Sequence, residues 1–359
     1  MEENTSRSYS YLSEKRKKES EELKKKLKEQ EDARLRRAEK FLTSHPPSRI
    51  EAELNEYIIE QPSLTKNVAD FLYYHVLRFK YPYLPSRPIL ICGPSGSGKT
   101  EVWRVVKKLY SDIAQITIIN SSTITSDGWS GSNKLAHYLS RDASYSILVF
   151  DEVDKLCSPR YSVGGVNVSA DLQSEFLKVI EENEYAIRSR TDIDYTIKNL
   201  GIVFCGAFES IREEKTQPVS QTIGFASQIP EEKKYTGITR SDLLQYGVIN
   251  ELIGRISVVC NTKPMTKEQC FNIVRNSKSR VTDIAKLLEN HGIDPWKDLP
   301  DEAIIEMIES ADIGQFGVRG VLSRIETIML NSIHEKGLII ASDTEADNID
   351  KFEDEVTFI

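Results

Sequence analysis

No segment limits the possible folds of this chain more than the octapeptide GPSGSGKT at Gly93–Thr100. It follows the apolar run Pro88–Cys92, which is typical of a buried strand, and precedes Glu101–Tyr110, which is compatible with a helix. The glycines let backbone N–H groups turn toward phosphate oxygens, and the start of the helix adds the positive end of its dipole. The pattern G-x-x-x-x-G-K-[ST] in this setting predicts a phosphate-binding loop between a strand and a helix.

A second motif, ILVFDEVDKL at Ile147–Leu156, is an apolar strand that ends in two carboxylates. We expect Lys99 to reach the β- and γ-phosphates, Thr100 and Asp151 to bind Mg²⁺, and Glu152 to polarise the attacking water. Together the two motifs predict a Mg²⁺-dependent ATPase. The expected nucleotide contacts along the loop are Gly93, Pro94, Ser95, Gly96, Ser97, Gly98, Lys99, Thr100 and Glu101.

Five short apolar runs alternate with helical segments between residues 88 and 260. Continuous apolar strands separated by helices indicate a parallel sheet that is covered on both faces, and hence an α/β fold. The runs are 88–92, 116–119, 146–150, 201–205 and 256–260. Beyond them, the segments 267–292, 299–311 and 317–337 predict three helices of a smaller C-terminal domain, with a possible edge strand at Val356–Ile359. We therefore expect a large domain over 49–260 and a small one over 261–359.

Residues 1–48 have a different composition from the rest of the chain. Glu14–Lys40 consists mostly of Lys, Arg and Glu, and its few apolar residues form no sustained heptad pattern. This predicts a solvated, charged helix that ends near the prolines of SHPPSR. Its role stays open between a simple arm or linker and a docking or coiled-coil element.

The composition excludes some classes of protein. A net charge of -8 argues against a general nucleic-acid binder, which is usually basic. The five cysteines include no C-x-x-C pair, so we expect buried, reduced thiols and no zinc site. No apolar run approaches the ~20 residues of a membrane helix, and no signal segment is present. These features favour a soluble cytoplasmic protein.

Further motifs, in order along the chain, are YIIEQ, DEVDK, FCGAF, IGF, NELIGR and GVRG. From about residue 50 onward the chain resembles the AAA+ superfamily, and within it the Clp-type unfoldases of the ClpX family. HslU-type unfoldases share several of these motifs, but the tripeptide IGF favours the ClpX family. The resemblance implies ATP and Mg²⁺ as cofactors, a homo-oligomeric ring with six subunits, and protein substrates.

The resemblance also implies roles for individual residues. Tyr57, Ile58 and Ile59 would line the adenine pocket, although ordinary core packing explains them equally well. Arg255 would be the arginine finger that reaches the nucleotide of a neighbouring subunit, or else a surface residue in a salt bridge. Arg319 would be the sensor-2 arginine of the small domain, or else an ordinary residue at a helix start.

Two loops are expected to contact proteins. The resemblance places a substrate-gripping pore loop at Gly128, Trp129, Ser130 and Gly131, where Ser130 replaces the hydrophobic residue of the family pattern. A second pore loop is expected within Ser158–Asp171.

The tripeptide Ile223, Gly224 and Phe225 lies in a polar stretch, where exposed apolar side chains are unexpected. In the ClpX family such a loop docks on the peptidase ring ClpP. No residue set in this chain resembles a protease nucleophile system, so peptide hydrolysis would come from that partner.

The chain departs from the family in three places. The N-terminal zinc-binding domain is replaced by the charged arm, only Arg188–Arg190 resembles the basic substrate-entry loop, and Cys205 offers no clear sensor-1 residue. Three functions stay open: an unfoldase that feeds a ClpP-type peptidase, a stand-alone remodeller of protein complexes, and a nucleotide-gated DNA- or scaffold-binding module. The basic clusters EKRKK and RLRR of the arm favour the third, and the interleaved Glu residues weaken it.

Overall fold

The computed structural model describes most of the chain. The described residues are 22, 25–26, 28–125, 134–139, 143–162, 164–181, 184–187, 195–216, 237–276, 278, 280–311 and 317–336.

Within the described residues, seven strands form two sheets. They are β1 (Ile89–Cys92), β2 (Ile116–Asn120), β3 (Ile147–Asp151), β4 (Glu184–Ile187), β5 (Tyr195–Lys198), β6 (Gly201–Gly206) and β7 (Val258–Asn261). Five of them form a parallel sheet in the order β2-β3-β6-β1-β7, and β4 pairs with β5 in an antiparallel hairpin. The five predicted runs are these five parallel strands, so the α/β prediction is confirmed. The hairpin was not predicted.

Helices cover the sheet and build the C-terminal part. They are α1 (28–44), α2 (Pro47–Asn55), α3 (Pro62–Lys80), α4 (Glu101–Tyr110), α5 (Val153–Cys157), α6 (Val168–Glu181), α7 (Glu209–Thr216), α8 (Arg240–Tyr246), α9 (Asn250–Arg255), α10 (Lys267–Asn276), α11 (Arg280–Asn290), α12 (Asp301–Ser310) and α13 (Arg319–Lys336). None of the described helices has the length and apolarity needed to cross a membrane.

Both faces of the parallel sheet are buried, which explains why its strands have continuous apolar sequences. Along β1, Ile89 and Ile91 face one hydrophobic cluster, whereas Leu90 and Cys92 face another. Successive side chains of a strand point to opposite faces, so a strand buried on both faces needs apolar residues throughout. All five cysteines are buried and free, as predicted.

The C-terminal helices enclose a separate core, and one sequence prediction for them is wrong. Residues 267–292 form two helices, α10 and α11, where a single helix was expected. The segment NSKS between them contains poor helix formers. In addition, the backbone N–H of Lys278 donates to the carbonyl oxygen of Glu56 at 3.0 Å, a tertiary hydrogen bond that competes with continuation of the helix.

The charged N-terminal helix is present, but it is not solvated on all sides as expected. In α1, Ala38 and Phe41 are only 1% and 3% exposed and belong to the core of the large domain. Phe41 packs edge-on against Tyr110, with ring centroids 5.6 Å apart. Residues 28–44 are therefore part of the folded unit rather than a free arm.

Polar contacts hold the first half of α1 on the same surface. Glu31 accepts a hydrogen bond from the Tyr145 hydroxyl at 3.0 Å, and the guanidinium of Arg34 lies 4.5 Å from the centre of the Tyr145 ring. Arg37 donates to the carbonyl oxygen of Asp112 at 3.3 Å. Two of the three arginines in the RLRR cluster are thus engaged within the chain.

Candidate nucleotide-binding site

A cavity of about 820 Å³ lies at the carboxyl edge of the parallel sheet. Because the carboxyl ends of parallel strands meet at one edge, the loop after β1 and the end of β3 come together there. The helical C-terminal part closes the other side. The lining includes Tyr57, Ile58, Ile59, Ser95, Gly96, Gly98, Lys99, Thr100, Glu101, Asp151, Glu152, Asp154, Lys278, Val318, Arg319 and Glu326.

The buried amino group of Lys99 is held within the loop after β1. Its Nζ donates to the carbonyl oxygens of Gly93 and Pro94 at 2.7 and 2.6 Å. Burial lowers the pKa of Lys99, because the charged form loses solvation. A phosphate oxygen would supply the negative partner that this buried cation lacks among the two neutral carbonyls.

Thr100 and Asp151 join the start of α4 to the end of β3. The Thr100 hydroxyl donates to Oδ2 of Asp151 at 2.6 Å. Hydroxyl and carboxylate oxygens are suitable ligands for Mg²⁺, which usually takes one or two carboxylates and completes its shell with waters and substrate phosphates. Among the described residues there is no cluster of three or more His, Cys, Asp or Glu that could hold a metal. The hydroxyl–carboxylate pair of Thr100 and Asp151 thus fits a Mg²⁺ ion by the chemistry of its two oxygen ligands.

Glu152 lies at a sharp turn directly after β3. Its backbone is left-handed, with φ of 57°, and its N–H donates to Oδ1 of Asp151 at 2.9 Å. The turn separates the two adjacent carboxylates: Asp151 bonds Thr100, whereas Glu152 pairs with Lys155 at 3.0 Å. Both residues line the cavity.

Asp154 is a cavity residue to which the sequence analysis assigned no role. Its Oδ1 accepts a hydrogen bond from the backbone N–H of Ala207, just after β6, at 3.2 Å. Burial raises the pKa of Asp154, while the hydrogen bonds from the backbone oppose this. This hydrogen bond connects the end of β6 to the DEVDK motif. In the sequence, the only sign of a role for Asp154 is its place in that motif.

The segment Tyr57–Ile59 lies between the two parts of the molecule. Ile58 is buried in the core of the large domain and also lines the cavity, while Ile59 packs against the core of the helical part. The Tyr57 ring lies within 5.6 Å of the amino groups of Lys108 and Lys278. These residues therefore pack in the hydrophobic cores and also line the cavity.

Arg319 is the first residue of α13 and lines the cavity with its side chain exposed. Two residues earlier, Gly317 approaches the phosphate loop so closely that a Cβ built on it would lie 2.5 Å from Cα of Gly96. The helical part thus reaches the loop itself and does not merely cover the opening of the cavity. Lys278 and Glu326, which the sequence analysis did not single out, enter the cavity from the same side.

Arg255 lies apart from the residues that line this cavity. It is exposed at the end of α9 and donates to Oε1 of Glu181, at the end of α6, at 2.6 Å. An exposed ion pair of this kind contributes only about 0–1 kcal/mol, so the guanidinium can exchange partners at little cost.

Two predicted contact loops lie outside the described residues: Gly128–Gly131 with Trp129 and Ser130, and Ile223–Phe225 with Gly224. Part of the expected second pore loop is described. Tyr161 and Asn167 form an antiparallel bridge, and the tight turn between them leaves Tyr161 and Val166 exposed.

Comparison with known proteins agrees with this architecture. Residues 85–259 match the AAA domain family (Cdc48 subfamily). The chain is 27% identical over 326 residues to the ATP-dependent Clp protease ATP-binding subunit ClpX 2 of Wolinella succinogenes, covering 83% of this chain and 80% of that protein. The chain is thus similar to ClpX proteins, and its residues 85–259 match an AAA domain.

Two further relatives support the same assignment. ClpX of Bacteroides thetaiotaomicron is 26% identical over 326 residues, and ClpX of Porphyromonas gingivalis is 24% identical over 321 residues. Each alignment covers 80% of this chain and 77% of the relative. All three relatives are named as ATP-binding subunits of the ATP-dependent Clp protease. The predicted resemblance to ClpX-like AAA+ proteins is thereby confirmed.

Proposed function

We propose that this AAA+ protein is an ATP-driven, ring-shaped unfoldase that threads proteins through a central pore into a ClpP-type peptidase. The observation that carries the proposal is the arrangement of Lys99, Thr100, Asp151 and Glu152 around one cavity between the parallel sheet and the helical part. A buried cation, a hydroxyl–carboxylate pair and a second carboxylate are the groups that hydrolysis of a nucleoside triphosphate requires.

Each of these residues has a distinct task. Lys99 holds the β- and γ-phosphates, and Thr100 and Asp151 hold Mg²⁺. Mg²⁺ held by these two residues would neutralise charge on the phosphate oxygens. Glu152 orients the attacking water, because the turn after β3 directs it away from the metal ligands. Arg319 contacts the γ-phosphate from the helical part, which links hydrolysis to movement of that part.

The position of Arg255 supports action in a neighbouring subunit. Its side chain is exposed and held by one exposed carboxylate, Glu181, so release into a subunit interface costs little. An arginine supplied in trans can raise the rate of phosphoryl transfer by about 10³–10⁵. Such an arrangement requires a homo-oligomeric ring, for which we propose a hexamer.

The two contact loops supply the mechanical function. Trp129, between glycines, would press on an extended polypeptide in the pore. Exposed Tyr161 would contribute a second grip. Ile223 and Phe225 would bury their side chains in apolar clefts of the peptidase, at roughly 1.5–3 kcal/mol each, and ring symmetry would multiply these weak contacts.

The DNA-binding alternative loses support from the contacts of α1. Arg34 lies over Tyr145 and Arg37 bonds the carbonyl oxygen of Asp112, so these two arginines already have partners within the chain. The stand-alone remodeller shares all features of the nucleotide site, and only the peptidase interaction distinguishes it.

The test is to measure ATP turnover and peptidase-dependent degradation of a tagged, stable protein in the same preparations. Phe225→Ala should keep ATP turnover and abolish degradation, because the loop is remote from the nucleotide. Tyr83→Ala, which removes an aromatic side chain that is 78% exposed on another loop, should keep both. Glu152→Gln should bind ATP, hydrolyse none and degrade none.

Other results would contradict the proposal. Degradation at the wild-type rate by Phe225→Ala would show that this tripeptide is not the dock. Unfolding without any peptidase-dependent degradation by the wild type would identify a stand-alone remodeller. ATP turnover in Glu152→Gln would remove the catalytic assignment, and salt-dependent DNA binding would favour the third alternative.

A further inference from the structure

Three consecutive residues at the end of β7, Asn261 within the strand and Thr262 and Lys263 after it, contact separate parts of the large domain. The side chain of Asn261 exchanges two hydrogen bonds with the backbone of Ile238, at 2.8 and 3.0 Å. Thr262 contacts the phosphate loop, and Lys263 contacts the segment that follows Tyr57–Ile59. Residues 261–263 form a junction between these parts.

Thr262 is fully buried and contacts the phosphate loop at its start and near its middle. Its Oγ1 lies 2.6 Å from Oγ of Ser97, which is itself 1% exposed, and 3.3 Å from the carbonyl oxygen of Cys92. At the start of the loop, a Cβ built on Gly93 would lie 1.9 Å from the same Oγ1. Thr262 therefore occupies the space that any larger residue at position 93 would need.

The hydroxyls of Ser97 and Thr262 take part in three polar contacts. The Ser97 hydroxyl also lies 2.8 Å from the carbonyl oxygen of Pro94, to which Lys99 donates as well. Two hydroxyl protons serve three contacts, and the 2.6 Å distance between the two hydroxyl oxygens requires one proton between them. Either Thr262 donates to Ser97 and Ser97 to the Pro94 carbonyl, or Ser97 donates to Thr262 and Thr262 to the Cys92 carbonyl. In both arrangements a hydrogen bond between the two hydroxyls connects the phosphate loop to the residue that follows β7.

Lys263 is held by Gln61, only 4% exposed, which follows the YIIE segment. The Gln61 amide donates to the Lys263 carbonyl oxygen at 2.9 Å and accepts from the Lys263 N–H at 3.1 Å. Both polar atoms of the side chain and both backbone groups of Lys263 are thereby satisfied. This pairing fixes the distance between the junction and the segment Tyr57–Ile59.

We propose that the junction positions the two halves of the nucleotide site separately: Thr262 positions the phosphate loop, and Gln61, through Lys263, positions the base-side segment. The proposal rests on the proposed ATPase function. Neither residue reaches the nucleotide directly. Thr262 acts through Ser97 and Gly93, and Gln61 acts through Tyr57–Ile59. Substitution of Thr262 should therefore weaken binding of the phosphates, and substitution of Gln61 should weaken binding of the base.

The experiment measures equilibrium binding of ATP and GTP together with thermal unfolding of the nucleotide-free protein. Thr262→Val, which keeps the shape and removes the hydroxyl, should weaken binding of both nucleotides about tenfold, the effect of losing one buried hydrogen bond. Thr262→Ser should restore binding to within about threefold. Gln61→Met should instead reduce the ratio of ATP affinity to GTP affinity. It should leave the contacts that both nucleotides make through their phosphates unchanged.

Two further variants serve as controls. Ser146→Ala removes a buried hydroxyl that donates to the Ala143 carbonyl oxygen at 2.6 Å, at the opposite edge of the same sheet. It should change thermal stability without changing nucleotide affinity. Ser97→Ala combined with Thr262→Val should bind no more weakly than the weaker single variant, because Thr262 acts through Ser97.

The outcomes separate this inference from the proposed function. If the wild type binds neither nucleotide, the ATPase proposal fails. If the wild type binds ATP and Thr262→Val binds it equally well, or loses only stability as Ser146→Ala does, the positioning role is refuted. Should Thr262→Val not fold, wild-type affinity of Ser97→Ala for both nucleotides would refute it as well.

Discussion

Replacing Gly317 by alanine tests whether the helical part must approach the phosphate loop as closely as it does. Gly317 has a positive φ of 62°, and a Cβ there would lie 2.5 Å from Cα of Gly96 and 2.9 Å from the carbonyl oxygen of Ser95. Left-handed backbone costs an alanine roughly 1–2 kcal/mol. The new methyl group meets backbone rather than a flexible side chain, so the two parts must also move apart.

The substitution destabilises the conformation in which the helical part lies against the phosphate loop and encloses the cavity. If about 1–2 kcal/mol is lost there, the apparent Kd for ATP should rise about 5- to 30-fold. The assay is titration with a fluorescent ATP analogue, combined with urea unfolding of the nucleotide-free protein. Gly320→Ala is the matched control, since its Cβ meets nothing within 4 Å and it lies in α13, where alanine should stabilise by up to about 1 kcal/mol.

Two results would refute this reasoning. Wild-type affinity in Gly317→Ala would mean that nucleotide binding does not require the close approach. Equal weakening in Gly320→Ala would mean that any side chain at the start of α13 disturbs the site, irrespective of Gly96.

Two further predictions concern stability. Phe41→Ala should lower the free energy of unfolding by about 3–5 kcal/mol in urea titrations, whereas exposed Arg36→Ala should change it by under about 0.5 kcal/mol; equal small effects would mean that α1 is not part of the core. Burial lowers the pKa of His75 to about 3, so between this value and the unfolded value near 6.5 the unfolded chain binds a proton that the folded chain does not. The free energy of unfolding should therefore fall by up to about 1.4 kcal/mol per pH unit as the pH drops below about 6.5, and His75→Gln should lose this part of the slope; an unchanged slope would contradict the assignment.

Much of the large domain follows from local sequence patterns. The five parallel strands were predicted because a strand buried on both faces needs an unbroken apolar run, and the helix α4 because its pattern begins directly after the phosphate loop. The proximity of Lys99, Thr100 and Asp151 also follows from these sequence patterns. A parallel sheet brings the carboxyl ends of β1 and β3 to one edge, and the two motifs lie at those ends.

Only the tertiary structure could decide the rest. Glycine at 93 has to accommodate Thr262, the helix over 267–292 is interrupted where Lys278 bonds Glu56, and Phe41 of the charged helix finds its partner in Tyr110. Each of these contacts joins residues that are far apart in the chain, and burial of a single aromatic side chain or one tertiary hydrogen bond outweighs a local preference of a few tenths of a kcal/mol per residue. Local patterns report which face of an element is apolar; they do not report what will cover it.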